Sequence, residues 1–385
     1  MMCRKMFAAL LPTLLLLNPL SSSVAAAEDT VKIGGNFELT GGAASYGTPM
    51  DEATQLAIEL KNADGGIKGK QIEYINYDNK SDLTEATSVA TRLIDQGIHA
   101  ILGPAPTGDA KATIPVVSQA GLPSIFPAVT GNGVTLDSSG KVLDWIFRVC
   151  FEDQYQGKAA GAYVVDQLGA KKVAILVDQS LDYSQGLAKA FQAELEAKGG
   201  QVVAQEAYAS GDTDFSAVLT SLLVQDFDVL YVPGYYTEVG LLIKQAREMG
   251  LNQIIVGGDG LASPTLVELA GAENVNDLYY TSHFSSNSDS AEVQAFLKAY
   301  QDKYGKEPDT FAALAFDAAN LMMDAMERAD SLDAKDIKQA LEETKAFTGV
   351  TGTFDMDRDY NPIKPALMLK LINGKVEAVE EVLVQ

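Results

Sequence analysis

From Val31 to Gly257 the chain switches repeatedly between two hydrophobic periods, and that alternation limits its fold more than any other feature. "VKIGGNF" (31–37) and "QIEYINY" (71–77) read as strands, while "TPMDEATQLAIELKN" (48–62) and "DLTEATSVATRLIDQG" (82–97) carry apolar residues at helical spacing. Asp51 and Glu52 are expected in the first turn of the former helix, and Gly97 closes the latter. An apolar run at 100–102, a helix from about Asp109 and a strand "PSIF" (123–126) continue the series. After "WIFRVCFEDQYQG" the scheme restarts. Helices are expected at 154–168, 184–198, 214–224 and 237–249, with strands at 172–177, 201–207, 228–232 and 253–257. Such alternation predicts an α/β chain whose parallel sheets are covered by helices on both faces, here as two units in tandem. Helices near 289–304, 310–328 and 333–343 and short strands near 351–355 and 366–372 add to one or both units. No stretch rich in Pro, Gly or Ser separates the halves, which favours several short crossings over one flexible tether.

The first residues follow another pattern. Arg4 and Lys5 form a basic head, Phe7 to Leu17 is apolar, and Ala25-Ala26-Ala27 offers a small-residue cleavage site. This reads as a secretory signal over 1–27, too short in its apolar part to span a membrane, so the remainder is expected to be exported. Cys3 lies ahead of the apolar run and is not placed to carry a lipid after cleavage, which favours a periplasm over a surface anchor. Beyond the signal the one cysteine is Cys150, so the fold rests on its core rather than on an internal disulfide. His99 and His283 are the two histidines, far apart in sequence, which argues against a His/Cys metal site; no metal or cofactor is expected. The formal charge is −23, and losing the signal, which holds Arg4 and Lys5 and no acid, makes it −25. A chain so acidic repels nucleic acid and anionic lipid.

Ligands of open parallel sheets bind beyond the carboxyl ends of the strands. Four loops there stand out: "GPAPTG" (103–108), "PAVTG" (127–131), "PGYYTE" (233–238) and "GGDG" (257–260). The first breaks an apolar run at Gly103-Pro104 and offers Thr107 and Gly108 just before a helix, where backbone N–H groups and the helix dipole favour an anion. The second adds Thr130; the other pair brings Tyr235, Tyr236 and Asp259, the acid boxed by glycines. If the two units face each other, a ligand with both a carboxylate and an ammonium fits, the carboxylate on Thr107 and Thr130 and the ammonium on Asp259, under apolar cover from the aromatics. Taken alone, 103–110 also reads as an ordinary strand-to-helix loop, and Asp259 as a turn residue or cap before "LASPTLVELAG".

Sharper motifs fail on their spacing. "GGIKGKQ" (65–71) has Gln71 where a phosphate loop needs a hydroxyl, and "GGNFELTGG" is not a dinucleotide fingerprint. "DMDRDYNP" (355–362) has Tyr360 at the glycine position of a calcium loop and Ala366 where its last acid belongs. "DYSQG" (182–186) lacks the first glycine of a nucleophile elbow. No spacing singles out an acid and base pair.

At these residues the chain resembles the periplasmic solute-binding proteins of ABC transporters for branched-chain amino acids, the Leu/Ile/Val-binding group of the type I fold. The resemblance rests on "VKIGGNFELTGGAASYG" with "GGIKGKQIE", "ILGPAPTG" with "IFPAVT", "FRVCFEDQYQGKAAGAYV", "VPGYYTEVGLLIKQAREMGL" with "VGGDG", and "TFAALAFDAANLM" with "GVTGTF". It covers essentially the whole chain after the signal. It implies two doubly wound parallel-sheet lobes joined by three hinge crossovers, near 149–153, 280–284 and 350–354. The N-terminal lobe would be 28–149 plus 283–351, and the C-terminal lobe 150–282 plus 352–385.

The resemblance also implies site roles. Thr107 matches the residue that holds the ligand carboxylate, Ala128 the carbonyl facing the ammonium, Thr130 the threonine serving both, and Asp259 the acid opposite the ammonium. Tyr46, Tyr183 and Tyr235 match pocket and lid aromatics. With their neighbours Ala105, Gly108 and Val129 these make up the expected ligand set. Pro106 stands where many members have Thr or Ser, and Phe37-Glu38 where many have a Pro-Leu-Thr run. The implied function is capture of Leu, Ile or Val by hinge closure and delivery to a membrane permease, by a monomer that is not an enzyme. Alternatives are the same fold binding an amide, urea, an aromatic acid or a short peptide, and an exported hydrolase.

Overall fold

A computed structural model describes residues 30–383; the expected signal at 1–27 lies outside the described residues. Strands β1 (Val31–Phe37), β2 (Ile72–Asp78), β3 (Ala100–Leu102), β4 (Ser124–Phe126) and β5 (Ile146–Arg148) form one parallel sheet in the order β2-β1-β3-β4-β5. Helices α1 (Ala44–Ala63), α2 (Leu83–Asp95) and α3 (Thr107–Ala120) connect them. β3 and β4 are buried throughout, as strands covered on both faces must be. Asp82 caps α2, its side chain accepting from the amides of Thr84 and Glu85.

The chain then runs through α4 (Asp153–Asp166), β6 (Lys172–Asp178), α5 (Asp182–Ala197), β7 (Gln201–Tyr208), α6 (Ser216–Leu223), β8 (Val229–Tyr231), α7 (Tyr236–Glu248), β9 (Ile254–Gly257), α8 (Pro264–Ala270) and β10 (Leu278–Ser282). After β10 come α9 (Ala291–Tyr304), α10 (Thr310–Arg328) and α11 (Ala334–Glu342). The hairpin β11 (Phe347–Gly349) and β12 (Gly352–Phe354) leads to β13 (Ala366–Ile372) and β14 (Lys375–Val382). The second sheet has the order β14-β13-β10-β9-β8-β6-β7. α10 packs along α1 and reaches β3 and β4, so the chain leaves the first sheet after β5, returns to its side after β10, and rejoins the second sheet at β13. α10 is apolar nearly all round and buried over most of its length, as expected of a helix that crosses a core.

Four details differ from the sequence reading. β13 and β14 run antiparallel at the sheet edge, so the second sheet is mixed. β5, β10 and β14 were not expected as strands. α1 begins before Pro49, so Asp51 lies beyond the first turn, where it accepts from Tyr74 Oη (2.7 Å), Asn76 Nδ2 (2.8 Å) and Gln55 Nε2 (2.6 Å). α3 begins at Thr107 rather than Asp109, which leaves the amides of its first turn at the end of β3. Gly103 turns the chain there with φ +85°; a Cβ on it would lie 2.3 Å from the Asn36 carbonyl oxygen, so this turn requires glycine.

Candidate functional site

In each sheet the order reverses beside one strand pair, β1/β3 in the first and β6/β8 in the second. Loops at such reversals diverge to opposite faces and open a crevice. Here the two crevices face each other and close on a narrow cavity, lined by Tyr46, Ala105, Pro106, Thr107, Ala128, Thr130, Tyr183, Tyr235, Asp259, Gly260 and Phe311. Of the expected ligand set, Gly108 and Val129 do not line it. Gly108 faces the outer groove that leads to it. Val129 is buried, with its carbonyl turned to Arg148. The physical reason is helix and loop phase: Thr107 points in, so its neighbour points out, and Thr130 alternates with Val129 in the same way.

The first unit supplies the end at the start of α3. Thr107 is the first residue of α3, and Pro106, the N-cap, provides no side-chain hydrogen bond to the first-turn amides. The loop at 127–131 packs directly on it: a Cβ at Gly131 would fall 2.2 Å from Thr107 Cγ2 and 2.6 Å from its Oγ1. Buried Arg148 fixes this second loop. Its Nη1 donates to the carbonyls of Val129 (3.1 Å), Thr130 (3.2 Å) and Gly131 (3.1 Å), its Nε to Asn361 Oδ1 (2.5 Å), and its Nη2 to Glu152. Behind the seat, Glu38 is fully buried and accepts from Asn79 Nδ2 (2.6 Å) and the Ala105 amide (3.3 Å). Burial, with Asp109 nearby, pushes its carboxyl up to about 8; burial raises Asp109 to about 6.

The second unit supplies the acid. Asp259 opens a 3-10 turn, Asp259–Leu261, and is buried. Its Oδ1 accepts from Tyr183 Oη (2.9 Å), and its Oδ2 lies 3.1 Å from His283 Nε2. His283 stacks on Phe151 with ring centroids 3.7 Å apart, and burial lowers it to about 4, so it is neutral and its Nε2–H donates to the carboxylate. Gln156 Oε1 receives the Asp259 amide at 2.7 Å. Among the described residues, no side chain lining the cavity is cationic.

Aromatic rings close the middle. Tyr183 stacks on Tyr235 (5.0 Å between centroids), Tyr46 meets Tyr235 edge-on (5.5 Å), and Phe311 at the start of α10 tilts against Tyr46 (4.4 Å). Hydrogen bonds tie the units across the cavity: Tyr46 Oη donates to the Gly260 carbonyl (2.6 Å) and accepts from the Tyr236 amide (3.2 Å). Tyr236 Oη donates to the Gly42 carbonyl (2.9 Å), and Ser45 Oγ lies 2.8 Å from Thr265 Oγ1. Lys111 and Asp182 pair at 2.7 Å at the exposed mouth.

A family model described as periplasmic binding protein matches residues 30–375. The chain belongs to that family. The branched-chain amino acid transporter substrate-binding protein LivJ of Streptococcus pneumoniae, solved in complex with isoleucine, is 44% identical; the match covers 92% of this chain and 99% of that one, with a TM-score of 0.86. The Leu/Ile/Val-binding protein homolog 3 of Brucella melitensis is 29% identical over 92% of this chain and 95% of its own length. A Rhodopseudomonas palustris solute-binding protein in complex with benzoate shares the fold at 23% identity and a TM-score of 0.82, over 92% and 96% of the two chains.

In this periplasmic binding protein, sequence reasoning missed Gly260 and Phe311 in the wall and Arg148, Asp153, Gln156 and His283 behind it. The stretch "FRVCFEDQYQG" carried Arg148, Asp153 and Gln156, and "TFAALAF" carried Phe311, but no spacing within either marked them.

Proposed function

We propose that this periplasmic binding protein captures an aliphatic branched-chain amino acid (leucine, isoleucine or valine) between its two units and presents the closed form to the membrane permease of an ABC importer. One observation carries the reading: neutral donors at the start of α3 face a buried acid, Asp259, across a small aromatic-walled cavity. A carboxylate suits the first end, an ammonium the second, and an aliphatic side chain the rings between. The isoleucine bound to the Streptococcus relative supports it. A benzoate-like acid offers nothing to Asp259.

Closure requires a ligand that touches both units, because only differential contacts shift an open–closed equilibrium. We assign the lobes as 28–149 plus 283–351 and 150–282 plus 352–385; the membership of β1–β5 in one large sheet and of β6–β10, β13 and β14 in the other supports this, while the hairpin β11–β12 straddles the last boundary. Residues 1–27 act as the export signal, and the mature protein works as a periplasmic monomer by binding alone.

A thermal-shift panel of amino acids, amides and aromatic acids tests the reading. A ligand at 100 times its Kd adds about 2.7 kcal/mol of stability. If leucine, isoleucine and valine all leave the melting point unmoved, the assignment is wrong. Discrimination among the three is shallow, since one methylene is worth about 1–3 kcal/mol. Steady product formation from amino-acid amides or short peptides would overturn binding as the sole activity.

A further inference from the structure

The end of the cavity that holds Asp259 has a second buried acid behind it. Asp153 opens α4 and is fully buried. Its Oδ1 meets Gln156 Nε2 only at 3.5 Å, and its Oδ2 has no hydrogen-bond partner among the described residues. Taking a carboxyl oxygen out of water without giving it a donor is unfavourable, so the arrangement needs a cause. Its neighbours indicate one. The Asp153 amide donates to the Thr130 carbonyl at 2.8 Å, and the Thr130 hydroxyl lies beside the Asp153 carboxyl. Gln156, which reaches Asp153 through its amide nitrogen, receives the Asp259 amide through its oxygen. Asp153 therefore stands behind Thr130, linked through one side chain to Asp259.

The charged and titratable groups around it are Arg148 on β5, Cys150 and Glu152 on the crossing segment, Asp259 on its 3-10 turn, and Tyr183, Tyr231 and Tyr235 from the second unit. Arg148 is the cation among these, and its donors go to Glu152, Asn361 and the carbonyls of 129–131 rather than to Asp153.

We propose that Asp153 is a positioning residue for the ligand's ammonium, orienting the Thr130 hydroxyl, supplying a second counter-charge, and giving up its proton to solvent as the ligand enters. The proposal rests on the reading of the ligand as a zwitterionic amino acid. Before binding, burial and the nearby Asp259 hold the Asp153 proton well above the usual carboxylate range. An entering cation reverses that balance. Once ionised, Asp153 accepts the Thr130 hydroxyl hydrogen, which leaves the Thr130 oxygen lone pairs for the ammonium. Thr130 then serves the cationic end, and the carboxylate relies on Thr107 and the first amides of α3.

The test is calorimetry at pH 7 with L-leucine and L-isoleucine in two buffers of different ionisation enthalpy, which counts the protons exchanged on binding. Glu38 and Asp109 stand at the carboxylate end and take up protons there, so variants are compared. Asp153→Asn is expected to shift the count by up to one proton toward uptake and to weaken binding tenfold or more. In Glu38→Gln/Asp109→Asn, with Asp153 intact, net release is expected. An Asp153→Asn count equal to that of the unsubstituted protein overturns the proposal. If that variant does not fold, absence of release in the double variant overturns it instead. In either case leucine still binds, and the amino-acid reading stands. If neither amino acid binds the unsubstituted protein, the reading fails and the proposal falls with it.

Discussion

Asp259→Asn removes one charge and almost no volume, so it separates the charge of the acid from its place in the fold. The Tyr183 hydroxyl, 2.9 Å from Oδ1, can still donate to the Asn carbonyl oxygen. His283 Nε2, 3.1 Å from Oδ2, would face an NH2 group and must become an acceptor. It can, by moving its hydrogen to Nδ1, which has no partner among the described residues. The fold loses one rearranged hydrogen bond, worth about 1 kcal/mol. Binding loses more, because removing one member of a buried hydrogen-bonded charge pair costs about 2–5 kcal/mol. At 1.4 kcal/mol per decade this is roughly a 30- to 5,000-fold rise in Kd. Calorimetry with leucine measures that rise, and urea denaturation checks the fold. 4-Methylpentanoate, which is leucine without its ammonium, serves as control and should bind the variant no worse than the unsubstituted protein. A folded variant that holds leucine within threefold of the unsubstituted protein would refute the placement of the ammonium at Asp259.

Gly131→Ala drives a Cβ into Thr107, and overpacking of this kind costs about 1–3 kcal/mol; Thr107→Ser, which deletes the clashing Cγ2, should recover part of the lost leucine affinity in a double-mutant cycle. Tyr46→Phe strips the donor to Gly260 and the acceptor for Tyr236; leucine Kd should rise roughly 5- to 150-fold, for about 1–3 kcal/mol, with a larger unliganded radius by small-angle scattering. His283 is lowered from 6.5 to about 4, so the unfolded chain binds the extra proton first, and stability is lost as pH falls from about 6.5 to about 4, at up to about 1.4 kcal/mol per unit; His283→Gln should flatten that limb of a urea-midpoint profile. Glu38 has the opposite sign. Raised from 4.5 to about 8, it stabilises fully below about 4.5 and loses this as pH rises toward 8, so Glu38→Gln should gain on the unsubstituted protein over that window; parallel profiles would contradict it.

Where the chain's chemistry is local, the sequence carried it. Period switching placed the strands whose ends hold the site, and Gly103-Pro104 and the glycines around Asp259 marked two of its loops. What escaped depends on distant partners. The first turn of α1 extends ahead of Pro49 where Tyr46 bonds to Gly260 and Tyr236, contacts some two hundred residues away in sequence. β14, "KVEAVEEV", is half charged and mostly exposed, and its place follows from pairing with β13 rather than from its own pattern. Arg148 binds backbone carbonyls, which every residue has, so nothing in the sequence of 129–131 could announce it.

That guanidinium also governs how such a protein can be retuned. Three consecutive carbonyls of the loop beneath Thr130 converge on one side chain, so the backbone that carries Thr130 is held in place through its main chain. A loop anchored in this way tolerates most changes to its own side chains. The apolar end is different, since Phe311 and Tyr46 lie on α10 and α1 and are replaceable one at a time. On the proposed reading, ligand preference can be engineered through two rings on separate helices while Thr107, Thr130 and Asp259 are left in place. A library confined to positions 46 and 311 should yield new side-chain selectivities, with urea denaturation used to discard members that the loss of these buried rings destabilises.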